Sequence, residues 1–467
     1  MKIICSQDKQ EETARILDKG WKGESIEVRF NDTELDLKTE TKIEFSADSQ
    51  SDPLIIKISC RSIYYYDAND FADDEIIYWY WEEGTAGQYT LFLQQTPFVT
   101  LDDAVQSKGE YTLITTRLVI LDSDETPILP DGAELLTELD LSDCENLTNV
   151  DDLQNLTNLT ELDLSHCESL TNVDGLGNLP SLKHLHLQSC ESLSNVDGLE
   201  NLTQITTLNL ARCKSLKNVN GLQNLKNLTR LRLFGCENLT NLTGLKKLTK
   251  LTQIILRGCK SLTCVDVLQY LTQLKELDLG FCKSLNNIDG LRNLTNLTDL
   301  NLVACQSLTN VDGLENLPSL NHLDLSNCES LSNVDGLRNL PSLKHLHLES
   351  CESLNNVDGL ENLTQITTLD LQSCKSLINV DGLQNLTQLR ELVLRYCESL
   401  TNVDGLQNLT NLTKLDLTLC ESLTNVDVLQ NLTNFTELVL SGCESLTNVD
   451  GLQNLTNLTE LDLSHCE

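Results

Sequence analysis

The sequence predicts an α/β solenoid with one parallel sheet, preceded by a small β-rich domain. Fifteen cysteines recur every 23 residues, from Cys144 to Cys466, so one structural unit is copied along most of the chain. Within each unit the pattern L-x-x-L-x-L alternates leucine with variable residues, which predicts a short strand with one buried face. An Asp-Gly-Leu turn then returns the chain to the next strand. Repetition of such a unit builds a solenoid, whose exposed faces commonly bind partners.

Each element of the repeat has a physical reason. In the first unit Leu139 and Leu141 point inward while Glu138, Asp140 and Ser142 point outward, so stacked copies form a sheet with a variable, concave face. The cysteines are interpreted as a column of buried, reduced thiols rather than as disulfides or a metal site. The aspartate of the turn, Asp174 in the second unit and its equivalents, is predicted to accept amide hydrogen bonds at the start of a short helical turn.

The chain divides near residue 130. Residues 1–130 contain no repeat but hold all three tryptophans and several strand-like stretches, which predicts a β-rich domain of unknown role. This segment has no histidine, so Ser-His-Asp and Cys-His nucleophile arrangements are excluded within it, and we expect no enzyme. Residues 131–467 form an array of about fifteen units that ends without a recognisable cap, which leaves end-to-end self-association open.

The repeat carries a family resemblance. From Leu136 to Glu467 the L-x-L-x-x-C-x-S-L pattern resembles the cysteine-bearing repeats of plant immune receptors and F-box receptors, and the LTNLTxL cadence is similar to internalin-type repeats. The resemblance implies a leucine-rich repeat horseshoe with a parallel concave sheet, and a function in binding partners. The chain has no P-loop motif and no evident F-box, so a nucleotide-driven receptor or a ubiquitin-ligase adaptor is not indicated.

Charge narrows the classes of partner. The formal net charge is −37, which argues against nucleic acid or an anionic membrane as the partner of the whole chain. The first twenty residues lack the apolar core of a signal peptide, so a cytoplasmic protein is expected. We predict no cofactor and no metal. His322, His345 and His347 should be neighbours, and a zinc site there is the alternative to a surface cluster inherited through duplication.

One part of the array departs from its own consensus. Residues 205–273 hold eleven lysines and arginines against two acidic residues, a local net charge of +9. A block of seven repeats recurs at an offset of 161 residues, and the second copy lacks this cluster. Clustered arginines beside aromatic rings suit an acidic peptide, a phosphorylated segment or an exposed nucleic-acid strand. The alternative is a solvated basic face, or one that docks against the acidic rest of the molecule. The residues predicted to bind a partner are Arg212, Arg230, Arg232, Phe234, Ile255, Arg257 and Phe281.

Three hypotheses for the function follow, and the third, export as an adhesin, is weakened by the missing signal-peptide core. The first is a noncatalytic protein-protein interaction receptor or scaffold that binds a protein, acidic or phosphorylated where it meets the arginines, on the concave face. The second is an effector or sensor whose N-terminal domain has an activity and whose repeats select the target. A catalytic constellation in residues 1–130 would distinguish the second from the first.

Overall fold

The computed structural model describes residues 136–466 together with the backbone of five earlier strands. Four of these, β1 (Lys2–Ile4), β2 (Thr41–Ser46), β3 (Tyr78–Glu83) and β4 (Gln88–Gln94), form an antiparallel sheet in the order β1-β2-β4-β3. Strands are therefore present in the N-terminal segment, and the β-rich domain of residues 1–130 stays a prediction. The other strand-like stretches of residues 1–130 and the boundary at residue 130 lie outside the described residues.

The array forms a second sheet of sixteen parallel strands in sequential order. It begins with β5 (Arg117–Val119), which pairs with β6, so the sheet contains one strand before the fifteen repeat strands. Each repeat strand has three residues and pairs in register with the same positions of its neighbours. The repeat strands are β6 (Glu138–Asp140), β7 (Glu161–Asp163), β8 (His184–His186), β9 (Thr207–Asn209), β10 (Arg230–Arg232), β11 (Gln253–Ile255), β12 (Glu276–Asp278), β13 (Asp299–Asn301), β14 (His322–Asp324), β15 (His345–His347), β16 (Thr368–Asp370), β17 (Glu391–Val393), β18 (Lys414–Asp416), β19 (Glu437–Val439) and β20 (Glu460–Asp462).

Short 3-10 helices connect the strands, and residues 136–466 contain no α-helix. They are Asp151–Asn155, Asp174–Asn178, Asp197–Leu199, Asn220–Leu222, Thr243–Leu245, Asp266–Tyr270, Asp289–Leu291, Asp312–Leu314, Asp335–Leu337, Asp358–Leu360, Asp381–Leu383, Asp404–Leu406, Asp427–Asn431 and Asp450–Leu452. The predicted solenoid with one parallel sheet is confirmed, and its helical turn is of the 3-10 type. No described helix is long and apolar enough to cross a membrane.

The aspartate of the turn does not have the predicted role. All but two of these 3-10 helices begin at that aspartate, the exceptions beginning at Asn220 and Thr243. The residue before the helix, Val173 in the second unit, supplies no side-chain cap. The side chain of Asn172 accepts the hydrogen bond instead, from the N–H of Asp174 at 3.1 Å. Asparagine favours such turns because its short side chain reaches the backbone two residues on. The same bond recurs in other units, as from Asp404 N–H to Asn402.

The core is a continuous column of leucines, valines and cysteines. Leu231, Leu233 and Cys236 are fully buried, as are the equivalent residues of most repeats. From Cys167 to Cys466, each thiol of the column donates to a carbonyl of the preceding repeat, as from Cys236 Sγ to the Leu210 oxygen at 3.1 Å. None of the described cysteines forms a disulfide, and Cys264 is exposed. The prediction of buried thiols at the repeat position is therefore confirmed.

Successive 3-10 helices approach closely at the glycine of the turn, although Val267 and Val428 occupy this position in two units and Asp152 occupies it in another. A Cβ added at Gly198 would lie inside contact distance of the Val173 carbonyl oxygen, so the backbone of the turn would have to shift. At Gly177, in contrast, the nearest atom would be the Gly198 carbonyl oxygen at 3.4 Å, an ordinary contact.

Replacement of Gly198 by alanine is therefore expected to lower the free energy of unfolding by about 1 kcal/mol, the lower part of the range for overpacking, because the units with Val267 and Val428 show that the turn can adjust to a side chain. Gly177→Ala is the matched control, and it should change stability by less than about 0.5 kcal/mol, as surface substitutions do. Urea denaturation followed by circular dichroism measures both variants. Equal denaturation midpoints for the two would contradict the close approach.

Candidate functional site

The structure places the seven predicted residues on four neighbouring strands. Arg230 and Arg232 lie in β10 and Ile255 lies in β11, while Phe234 and Arg257 each follow their strand by two residues. We call the following seven residues the basic patch: Arg212, Arg230, Arg232, Phe234, Ile255, Arg257 and Phe281. Arg212 follows β9 and Phe281 follows β12, so the set runs without a gap from β9 to β12.

The strand pairing fixes the centre of the basic patch. Arg230 lies opposite Gln253 of β11, and Arg232 lies opposite Ile255. Leu231 between the two arginines is fully buried, whereas both arginine side chains are exposed. Alternation along a strand puts both on the same face of the sheet. Within residues 136–466 neither forms an ion pair, so two unpaired positive charges stand side by side.

Aromatic rings flank these charges. The Arg257 guanidinium carbon lies 4.4 Å from the centroid of the Phe281 ring, within cation-π range. The Arg212 guanidinium carbon lies 5.8 Å from the centroid of the Phe234 ring. Phe234 and Phe281 remain 36% and 40% exposed, so both rings still present apolar surface to a ligand.

Other charges of the +9 segment are neutralised locally. Lys260 Nζ lies 2.8 Å from Glu237, and this hydrogen bond lowers the pKa of the Glu237 carboxyl. Lys214 forms an ion pair with Glu191. On the other flank, Arg257 lies 3.9 Å from Asp278, whose pKa is raised by burial. Of the four arginines in the basic patch, Arg257 therefore has an ion pair, and Arg212, Arg230 and Arg232 have none within residues 136–466.

Three lysines of the same segment lie on the return side of the solenoid, after the 3-10 helix Thr243–Leu245. Lys246 Nζ lies 4.6 Å from the centroid of the Tyr270 ring, and Lys250 donates to the Asn227 side chain at 2.8 Å. Lys246 and Lys247 are exposed. These lysines lie apart from the strand residues of the basic patch.

The histidines come together as expected. The centroids of the His322 and His347 rings are 5.7 Å apart, and those of His322 and His345 are 6.1 Å apart. Across the described residues, no group of three histidine, cysteine or carboxylate side chains has the geometry to hold a metal ion.

The sequence reasoning missed a second system of hydrogen bonds on the sheet face. We call the residue after the central leucine of each strand the second column, Asp140 and its equivalents, and the residue two further on the edge column, Ser142 and its equivalents. Where the second column holds Asp or Asn, its side chain usually accepts the N–H of the edge column. The nine bonds are those to Asp140, Asp163, Asn209, Asp278, Asn301, Asp324, Asp370, Asp416 and Asp462, at 2.8 to 3.1 Å. The signal was visible as a recurring L-D-L or L-N-L.

The parallel ladder, the leucine core and the repeated turn define the class of the protein, a leucine-rich repeat solenoid. The sequence profile of the BspA type leucine rich repeat region matches residues 125–234, 232–332 and 347–467, with six copies. The chain belongs to this family. Leucine-rich repeat folds generally serve as scaffolds that bind protein partners.

The chain is similar to several solved structures. An internalin, InlF, from Listeria monocytogenes is 21% identical over 78% of this chain and 93% of that chain, with a TM-score of 0.44. A leucine-rich repeat protein of Leptospira interrogans is 19% identical over 74% of this chain and 93% of that chain, with a TM-score of 0.41. The functional domain of InlJ from Listeria monocytogenes, which includes a cysteine ladder, is 22% identical over 73% of this chain and 71% of that chain, with a TM-score of 0.35. No curated protein matches the sequence significantly.

Proposed function

We propose that this protein is a noncatalytic receptor or scaffold that binds a protein partner on the sheet face, with an acidic or phosphorylated segment of the partner lying on the basic patch. The observation that carries the proposal is the pair Arg230 and Arg232, exposed, adjacent and without an ion pair in residues 136–466. Each guanidinium offers a fork of donors that matches a carboxylate or phosphate. In a chain of net charge −37, such a local reversal favours one specific acidic ligand over general anion binding.

Aromatic and arginine residues support the same function. Both types are enriched at the centres of protein interfaces, where a few anchors carry most of the binding energy. Phe234 and Phe281 supply apolar anchors on either side of Arg257. The segment of seven repeats that duplicates this block has Glu391 and Val393 at the positions of Arg230 and Arg232, so the feature is confined to one place in the array.

The double substitution Arg230→Glu with Arg232→Glu is expected to weaken partner binding at least about tenfold, because two attractive charges become repulsive. The intact protein and the variant would each be immobilised, exposed to an extract of the source organism, and the retained proteins quantified by mass spectrometry across a salt series. Binding to the intact protein should fall as salt rises.

The matched control is Lys246→Glu with Lys247→Glu, which makes the same change in net charge on the return side. It should leave the retained proteins unchanged. If the arginine variant retains the same proteins as the intact chain, or if both variants lose them equally, the basic patch is not the binding site.

A further inference from the structure

The hydrogen bonds of the edge column single out one place on the sheet. At the edge column the backbone N–H is held by the Asp or Asn side chain of the second column, as in the bond from Ala211 N–H to Asn209 at 3.1 Å on β9 and from Gly280 N–H to Asp278 at 2.9 Å on β12. Between these two strands the acceptor is missing twice in succession. The second column holds Arg232 on β10 and Ile255 on β11, and neither side chain can accept a hydrogen bond.

Two neighbouring backbone donors are left without partners. The N–H groups of Phe234 and Arg257 have no acceptor within the part of the chain that the structure describes. Elsewhere in the array the second column lacks Asp or Asn only at His186, His347, Val393 and Val439, each of which stands between two strands that carry the acceptor. A pair of adjacent open donors therefore occurs on β10 and β11 alone among the fifteen repeat strands.

The geometry points to an oxyanion site at the edge of β10 and β11, and we propose that it binds a carboxylate or phosphoryl group of the partner. The two N–H groups are equivalent positions of paired strands, about 4.8 Å apart. In the repeats with Asp or Asn in the second column, the same N–H points to a carboxylate or amide oxygen on the sheet face. An incoming anion would supply that missing oxygen to both strands at once.

Charge selects the ligand. The exposed Arg232 occupies the position from which an aspartate would otherwise bond the Phe234 N–H, and it replaces a negative charge by a positive one beside the open donors. Arg230 stands on the same face and Arg257 follows β11. Backbone donors reinforced by guanidinium groups are a strong combination for an anion, because hydrogen bonds to a charged acceptor are roughly twice as strong as neutral ones. A cation would be repelled by these guanidinium groups.

The inference rests on the proposed function for its partner, but it can be tested with simple peptides. The probes are a short peptide of glutamates and a peptide of serines and glycines with one phosphoserine, titrated into the full chain. With selective [15N]phenylalanine labelling, the amide resonance of Phe234 should shift and saturate with the peptide. The peptide that binds more tightly shows whether the site prefers a carboxylate or a phosphoryl group.

The decisive variant is Ile255→Asn, which restores the repeat's own acceptor without adding charge. Asparagine already stands in the second column at Asn209 and Asn301, so the fold accepts it. The restored side chain should occupy the Arg257 N–H and weaken binding of the peptides about tenfold, the loss expected for a hydrogen bond to a charged group. Ile255→Leu has the shape of asparagine without the acceptor, and Val439→Asn adds the acceptor on a distant strand, so both should bind as the intact chain does.

Two results would overturn the oxyanion site. One is a Phe234 amide that neither peptide shifts, and the other is an Ile255→Asn variant that binds both peptides as well as the Ile255→Leu variant does. Neither result decides the proposed function, which depends on whether Arg230→Glu with Arg232→Glu loses the natural partner. If that double variant loses the partner while Ile255→Asn does not affect the peptides, the basic patch binds through its side chains alone.

Discussion

Between pH 9 and pH 12 the repeat array is expected to lose its stability steeply and to unfold. Burial raises the pKa of the thiols in the cysteine column, from an ordinary 9.0 to about 12 for five of them, Cys190, Cys236, Cys282, Cys328 and Cys443. The pKa is also raised, mainly by burial, at Cys167, Cys213, Cys259, Cys305, Cys351, Cys374, Cys397 and Cys420. Unfolding exposes these thiols, and they ionise.

The direction in which the free energy of unfolding changes with pH follows from proton binding. Above pH 9 the unfolded chain loses thiol protons that the folded chain keeps, so the unfolded state binds fewer protons and the free energy of unfolding falls with pH. The contribution of each thiol is fully present below pH 9 and is lost as pH rises toward its folded pKa. One thiol contributes a slope of up to about 1.4 kcal/mol per pH unit. Thirteen together amount to on the order of ten kcal/mol between pH 9 and 10, comparable with the whole stability of a typical domain.

The measurement is the midpoint of urea denaturation at a series of pH values from 8 to 11. Lysine and tyrosine also titrate in this range, so the test is a comparison with a variant that has Cys282, Cys305 and Cys328 replaced by alanine. That variant is less stable at every pH because it loses buried groups, but its midpoint should fall less steeply with pH. Parallel curves for the two proteins would show that the thiols are not the titrating groups.

The fold was predictable because its information is periodic. The spacing of cysteines and leucines gives both the repeat length and the buried face, and Leu231 and Cys236 are as deeply buried as that pattern requires. The turn was less predictable, since Asn172 and Asp174 are both capable of capping and their sequence does not say which does. Backbone geometry decides: the helix begins at Asp174, which leaves Asn172 in position to accept the amide.

The positions of the basic-patch residues on the sheet could be predicted one by one, but the open backbone N–H groups among them could not. Repeat position alone places Arg230, Arg232 and Ile255 on one face, because the register of stacked units is fixed by their equal length. The open N–H groups of Phe234 and Arg257 are a property of the backbone, and they become visible only when the side chains that hold the equivalent groups elsewhere are seen. Sequence shows the missing aspartates, and the structure shows what they leave open.

Alkylation of the folded protein should divide the cysteines into two classes. At pH 8 the rise in the pKa of Cys236 to about 12 lowers its thiolate fraction about a thousandfold relative to a thiol of pKa 9.0, and only the thiolate reacts. Burial also denies the reagent access, whereas Cys264 is exposed. Iodoacetamide is therefore expected to modify Cys264 at least about a thousandfold faster than Cys236, as followed by mass spectrometry of the peptides after timed labelling.

The same labelling in guanidinium chloride is the control, and there the two cysteines should react at similar rates. In the folded protein the half-buried Cys466, at the last strand, should react at an intermediate rate. Labelling of Cys236 as fast as Cys264 would contradict a packed column, and with it the alkaline unfolding that depends on the buried thiols.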